Sequence, residues 1–483
     1  MEEGERANLN PNTFTVDDAL LTLGFGKYQY FVLGYAALAW VSEAMEMMLL
    51  SFIGPVVQRL WHLSAKEQSL ITSVVFIGML VGAYSWGVIA DKYGRRKGFL
   101  MTALVTTLAG FASAFSPNYA SLLVFRCVVG IGLGGGPVLC SWLLEFIPPP
   151  TRGTWMVVFQ AFWTVGTVFE ASIAWVVMPR LGWRWLLAFS SIPSFGLLVF
   201  YLFTPESPRY LCMNGREKEA MVILERISKV NGTKVPLGTL VSDDQQAGLD
   251  GDATPRTKCK QGPFSTILKL LSRELVRPTL LLWIVFFGNS FTYYGLVLLT
   301  TELNTGRSRC AAHKTAESKK VEDVDYKDVF ITTFAEFPGL IIVAVTVDRV
   351  GRRLSMAVLF FICCILVFPL LFQQSERVTT GLLFGSRVCI TATFTTLFIY
   401  APEIYPTAVR STGFGSASSM GRIGGMVCPY VAVALVQGCH QTAAIGMFEA
   451  IIFLSGVSVL LIPIETKGRE LSDNVKLKNP PPV

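Results

Sequence analysis

Apolar residues run along most of this chain in blocks of about 20, the length a helix needs to cross roughly 30 Å of hydrocarbon, and short polar segments separate them. Twelve blocks are predicted as spans: near 28–50, 69–90, 98–115, 119–143, 154–178 and 184–204, then 278–301, 326–346, 354–373, 378–401, 411–436 and 441–463. An even number of crossings puts both chain ends on one side. The expected class is an all-α membrane protein with twelve transmembrane helices in two pseudo-symmetric six-helix bundles. Its parts are an N-terminal segment (1–27), a first bundle (28–204), a linker (205–277), a second bundle (278–463) and a tail (464–483).

In the linker, Ala220, Ile223, Leu224 and Ile227 share one face of a predicted helix over Glu217–Ser228, and Phe264–Leu275 repeats the pattern. Between them, 236–262 is rich in Gly, Asp, Gln and Thr and is expected to be disordered. Asn231-Gly-Thr matches a glycosylation sequon, but on the side assigned below it is expected to stay unmodified.

Composition agrees with membrane insertion: 52% of residues are hydrophobic and 16% charged, against roughly 25% charged in soluble domains. With both ends inside, 27 of the 41 Lys and Arg residues fall in cytoplasmic segments, which the positive-inside rule favours. The net charge of +7 therefore needs no nucleic acid to explain it. The first 27 residues are polar and acidic, so no secretory signal peptide is expected. The ten cysteines lack metal spacing; Cys310 and Cys439 both fall in outer loops, where a disulfide is permitted.

The two halves repeat a motif. Gly87-Val-Ile-Ala-Asp91-Lys-Tyr-Gly94-Arg95-Arg96 returns as Asp348-Arg-Val-Gly351-Arg352-Arg353, and Glu145 with Arg152 returns as Glu403 with Arg410. Carboxylates at helix ends can meet Arg side chains and the positive end of a neighbouring helix. These ten groups, Asp91, Arg95, Arg96, Glu145, Arg152, Asp348, Arg352, Arg353, Glu403 and Arg410, are expected to form a cytoplasmic gate that is broken and remade as the halves rock. Holding topology alone would account for the Arg residues but not for the matched acids and glycines.

Charges inside spans are candidates for chemistry. A guanidinium at mid-span costs roughly 2.5–3.5 kcal/mol and normally faces a cavity or a partner. Arg422, beside Gly421, Gly424 and Gly425, is expected to bind a carboxylate, with an internal salt bridge to Glu336 as the alternative. Glu43 and Glu46 on span 1 and Arg126 on span 4 are candidates for proton coupling, with hydration near the outer mouth as the alternative for the two acids. Glu170 has no evident partner. Trp40, Trp142, Trp163, Tyr293 and Tyr294 are near enough to mid-membrane to stack on a flat ring, or simply to pack. Gly130-Ile-Gly132-Leu-Gly134-Gly135 matches a dinucleotide fingerprint, but inside a membrane helix close packing explains it better. No nucleophile–base set, metal cluster or phosphate loop stands out, so an enzyme is not expected and no cofactor is required.

The two motif copies, with Glu145-Phe-Ile-Pro-Pro-Pro-Thr-Arg152-Gly, Pro205-Glu-Ser-Pro-Arg209, Pro402-Glu-Ile-Tyr-Pro-Thr-Ala-Val-Arg410 and Pro463-Ile-Glu-Thr-Lys-Gly468, resemble signatures of the major facilitator superfamily over nearly the whole chain. Within it the chain is most similar to the organic-ion, synaptic-vesicle-like and niacin transporter branch, especially plant nicotinate transporters, also labelled organic cation/carnitine transporter-like. The branch resemblance implies that Gln160, Tyr293 or Tyr294, Glu336 and Arg422 line the central cavity, and Arg at the span-11 place implies an anion. It also implies a monomeric carrier in the plasma membrane, or a vacuolar or vesicle membrane. The span-1 acid and span-4 Arg resemble a pair found in proton-coupled sugar porters.

The expected function is alternating-access transport of a small aromatic carboxylate, above all nicotinate, together with a proton. An organic cation or carnitine carrier is the alternative in the same class. A non-transporting receptor or vesicle protein is the alternative in another.

Overall fold

The structure, a computed structural model, describes residues 13–241, 270–272, 275–315, 326–372, 374–405 and 410–466. The first half comprises α1 (Val16–Leu23), α2 (Lys27–Trp61), α3 (Ala65–Tyr93), α4 (Arg95–Ser113), α5 (Tyr119–Leu133), α6 (Gly136–Leu144), α7 (Arg152–Leu181), α8 (Trp183–Ser190) and α9 (Ile192–Phe200). Two short helices follow, α10 (Pro208–Met213) and α11 (Glu217–Asn231). The second half comprises α12 (Val276–Thr315), α13 (Tyr326–Thr333), α14 (Glu336–Val350), α15 (Arg352–Val367), α16 (Glu376–Ile404), α17 (Arg410–Pro429) and α18 (Gln441–Leu461).

Among the described residues, ten segments are long and apolar enough to cross a membrane: α2, α3, α5 with α6, α7, α8 with α9, α12, α13 with α14, α15, α16 and α18. Large apolar side chains such as Val81, Leu108, Val199, Ile341, Ile365 and Phe453 are exposed. On a water-facing protein this surface would aggregate; on an integral membrane protein it meets lipid. Helices α4 and α17 occupy the places of the other two predicted spans and are more polar.

Local chemistry sets the helix ends. Ser64 caps α3 by accepting from Glu67 N while its own N–H reaches the Glu67 carboxylate. Gly94 (φ 109°) and Gly351 (φ 104°) turn the chain between α3 and α4 and between α14 and α15, a backbone conformation nearly closed to other residues. The predicted packing role of Gly130 and Gly134 is realised: a Cβ at Gly130 would strike the Val75 carbonyl, and one at Gly134 the backbone of Gly82 and Ala83.

Three predicted spans are interrupted, at Gly134–Gly135, at Ser191 and at Phe334–Ala335. In the linker, α11 buries Ala220, Leu224 and Ile227, while the Asn231 amide bonds Tyr28 N and Gln29 at the start of α2. Thr239–Leu240 pairs as a parallel strand with Thr13–Phe14, inside the stretch expected to be disordered. Most of that stretch, and most of Phe264–Leu275, lies outside the described residues. Cys439 is in a disulfide. The side chain of its predicted partner, Cys310, lies outside the described residues.

The repeated motifs share one face of the molecule. Contacts between the halves, among the described residues, run from mid-depth to the opposite face. They include Gln58 with Gln437 (2.6 Å), Gln437 with Gln68 (2.7 Å), Ser69 with the Pro429 carbonyl (3.0 Å), Ser73 with the Met426 carbonyl (2.7 Å) and the ring pair Trp175–Phe330.

Candidate functional site

Six predicted residues gather between the halves, all partly exposed: Trp40 and Glu43 on α2, Gln160 and Trp163 on α7, Tyr294 on α12 and Arg422 on α17. Trp40 Nε1 donates to Gln160 Oε1 (3.0 Å), and the Trp40 and Trp163 rings lie 5.2 Å apart. Tyr294 meets Phe76 edge-on at 4.8 Å. Arg422 interacts electrostatically with Tyr294 and, across the interface, with Glu43. Among the described residues it makes no hydrogen bond or ion pair. The glycines beside it bring α17 close to its neighbours, since Gly424 abuts the Phe287 carbonyl of α12 and Gly425 abuts the Phe76 ring of α3. The cluster therefore offers a cation, flat aromatic faces and an amide to anything that enters.

Glu46, Glu170 and Glu336, also within the spans, are sealed with their partners. Arg126 Nη1 meets Glu46 Oε2 at 2.9 Å, its Nη2 donates to Ser113 Oγ (2.6 Å), and both charged side chains are almost wholly buried. Ser190 Oγ donates to Glu170 at 2.8 Å, which supplies the partner that sequence reading left open. In the second half Arg387 Nη2 meets Glu336 Oε1 at 2.7 Å with neither exposed. Tyr293 Oη also donates to Glu336 Oε1 (2.7 Å), Thr167 Oγ1 to Glu336 Oε2 (3.1 Å), and Trp163 Nε1 to Tyr293 Oη (3.0 Å).

These placements correct three expectations. Glu336 pairs with Arg387, not Arg422, because α16 carries its guanidinium directly onto the start of α14. Glu336 and Tyr293 lie behind the exposed cluster rather than in it, since their polar atoms are spent on each other and on Arg387. Trp142 is also no ring platform: it is buried and donates to the Pro205 carbonyl (3.0 Å). For Glu46, the pairing with Arg126 removes the alternative of hydration at an outer mouth.

On the motif face, Arg95 Nε lies 3.4 Å from Glu145 Oε1, and Arg352 Nε lies 3.4 Å from Glu403 Oε2, so both copies of the motif make the same contact. Arg152 and Arg209 both grip Asp17 of α1, at 2.7 and 2.9 Å. Arg96 N bonds Glu206 Oε1 (3.0 Å), and Arg352 N and Arg353 N bond the Glu465 carboxylate (3.0 and 3.1 Å), placing an acid at the positive start of α4 and of α15. Arg96 also lies over the Tyr201 ring at 4.6 Å. Each of these contacts joins groups of the same half. Burial pushes the Glu145 carboxyl above its ordinary value, although Ser207 and Arg95 act against the shift. The side chains of Asp91, Asp348 and Arg410 lie outside the described residues.

Sequence reading did not assign Arg387, Thr167, Ser113, Glu206 or Glu465. Arg387 had a readable signal, as an Arg near the middle of a predicted span and the counterpart in the second half of Arg126.

Two bundles of membrane-length helices with a charged, aromatic cluster between them define a membrane transporter. The "Sugar (and other) transporter" family model matches residues 25–308, and the "Major Facilitator Superfamily" model matches residues 329–483. The chain is 59% identical over 490 residues to "Organic cation/carnitine transporter 7" of Arabidopsis thaliana, covering 97% of this chain and 98% of that one. It is 39% identical over 485 residues to "Synaptic vesicle 2-related protein" of Pongo abelii, covering 97% and 84%. Its fold is similar to the partially occluded inward open conformation of the xylose transporter XylE from E. coli, with a TM-score of 0.71, 16% identity, and coverage of 92% of this chain and 100% of that one. The chain belongs to the major facilitator superfamily, and it is a transporter, not an enzyme.

Proposed function

We propose that this transporter carries a small aromatic carboxylate, nicotinate first among the candidates, together with a proton. The observation that carries this reading is Arg422: a partly exposed guanidinium between the halves with no hydrogen-bonding partner among the described residues, beside Tyr294, Trp40 and Trp163. Its planar fork suits a carboxylate, and the aromatic side chains suit a flat ring. Gln160 offers an amide to a ring nitrogen. Buried carboxylate–guanidinium contacts such as Glu46 with Arg126 supply sites where a proton can be exchanged.

In this reading twelve spans cross the plasma membrane, the motif face is cytoplasmic, and the two halves rock about the Arg422 cluster. Contacts concentrated toward the opposite face correspond to a state open to the cytoplasm. The matched pairs Arg95–Glu145 and Arg352–Glu403 keep each half rigid in this state and recombine across the halves in the other. The molecule works as a monomer.

A second reading, an organic cation or carnitine carrier, is favoured by the name of the Arabidopsis relative and by Glu43, a carboxylate within the same cluster. Uptake of labelled nicotinate into transporter-deficient cells separates the two. Saturable uptake that nicotinamide and carnitine fail to block supports the anion site. Carnitine uptake without nicotinate uptake overturns it.

A further inference from the structure

Glu46 on α2, Arg126 on α5 and Glu170 on α7 are buried inside the first half. Helices α2 and α7 both start on the motif face, where Phe25 stacks on Trp155, and they touch at Gly166, where a Cβ would stand 2.6 Å from the Val41 carbonyl. Glu170 is one turn beyond Gly166 and Glu46 just over a turn beyond Val41, so this close approach sets the two acids at the same level. Gly110 of α4 closes another side. A Cβ there would stand 2.8 Å from Glu46 Oε1 and 3.1 Å from the Oγ of Ser191, the neighbour of Ser190.

The buried acids are served unequally. Glu46 has Arg126 at 2.9 Å, and Glu336 in the second half has Arg387, Tyr293 and Thr167. Glu170 has Ser190 alone among the described residues, and Ser190 Oγ stands 2.8 Å from both Glu170 oxygens and 2.8 Å from the Leu186 carbonyl. A hydroxyl has one hydrogen for these three oxygens. With Glu170 ionised, Ser190 donates to it, and a buried charge rests on a share of one neutral donor, which is costly. With Glu170 protonated, its O–H donates to Ser190 Oγ and the Ser190 hydrogen turns to the Leu186 carbonyl. The charged groups that face Glu170 are Glu46 from α2 and Arg126 from α5, while α8 adds Ser190. The Glu336–Arg387 pair, which meets α7 through Thr167, is balanced in itself.

We propose that Glu170 is the group that carries the transported proton, held in the described state as a neutral acid beside the Glu46–Arg126 ion pair. This deepens the anion-plus-proton reading above and rests on its proton-coupled part. With the proton on Glu170 the three groups have zero net charge. Release breaks the Glu170 O–H bond, leaves the electron pair on the carboxylate and sends the proton to water on the side of exit; uptake on the side of entry reverses it. Arg126 has the capacity to hold the second carboxylate, because its Nε and Glu46 Oε1 are buried without a hydrogen-bonding partner among the described residues. Two carboxylates on one guanidinium leave an uncompensated charge in a medium of low dielectric constant, so the emptied site draws a proton back. Thr167, one turn before Glu170, bonds Glu336 across the halves, so their parting pulls on the turn of α7 that holds the proton.

The test combines infrared difference spectra of the purified full-length transporter in lipid nanodiscs, in light and heavy water without nicotinate, with nicotinate accumulation by proteoliposomes under an imposed pH gradient. Wild type is expected to show the carbonyl stretch of a buried protonated carboxyl, shifted on transfer to heavy water. Glu170→Gln, close in shape to the neutral acid, is expected to lose that band and to exchange nicotinate for nicotinate without accumulating it. A Glu170→Gln protein that keeps the band, or that accumulates nicotinate like wild type, overturns the proposal. So does a wild type without such a band, a result that requires no variant to fold. A wild type that shows the Glu170 band but accumulates no nicotinate overturns the substrate reading instead and supports the proton site.

Discussion

Arg126, Arg387 and Arg422 lie away from the ends of the membrane-spanning segments, and their different fates describe the chemistry of the molecule. Arg126 and Arg387 are each held against one carboxylate with both groups sealed from solvent. Arg422 is partly exposed and faces the other half. A sealed pair adds little net stability, because desolvating the two ions offsets much of their attraction, yet removing one partner is severe. Arg387→Ala leaves Glu336 with only hydroxyl donors from Tyr293 and Thr167, and should destabilise the protein by about 3–5 kcal/mol. This is read as a lowered unfolding midpoint in detergent, and Arg387→Met combined with Glu336→Leu should recover most of the loss. If the single variant melts like wild type, the pair is not structural.

Among helices, the most informative places are the ends on the motif face. Gly94 and Gly351 reverse the chain with positive φ, and Glu206 and Glu465 then sit on the exposed N–H groups of α4 and α15, so both halves solve the same turn in the same way. Glu145, beside Arg95, has its carboxyl pushed up by burial. The protonated form is therefore favoured in the fold, and its contribution to stability is present at low pH and fades as pH rises past the ordinary glutamate value of about 4.3. Glu145→Gln, which cannot ionise, should flatten this part of the dependence of unfolding midpoint on pH. An identical profile in wild type and variant would contradict the assignment.

The elements themselves were legible in the sequence, because membrane-length apolar runs and a repeated Gly-Arg-Arg turn follow directly from composition and spacing. Which residues meet was less so. Glu43 and Glu46, three residues apart, looked like one face, but about 60° of rotation between them suffices to send Glu46 to Arg126 and Glu43 to Arg422. The Glu336–Arg387 pair depends on the rotation of two separate helices, which no local pattern encodes. The breaks at Gly134–Gly135 and Phe334–Ala335 interrupt otherwise continuous apolar runs, where hydropathy carries no mark of them.

At the scale of the whole molecule, the halves meet through an amide cluster of Gln58, Gln68 and Gln437 toward one face and are braced separately at the other, the asymmetry expected of one end state of alternating access. Transport of one carboxylate with one proton moves no net charge. Uptake into proteoliposomes should therefore follow an imposed pH gradient and be nearly indifferent to voltage, whereas a cation carried alone would gain about 2.3 kcal/mol per 100 mV. Uptake that tracks voltage at constant pH would exclude this coupling. The most direct test of the central claim, that Arg422 binds the anion, is labelled nicotinate uptake by wild type and by Arg422→Asp at matched surface expression. The charge reversal is predicted to abolish uptake while the protein still reaches the membrane; undiminished uptake by Arg422→Asp would contradict the account.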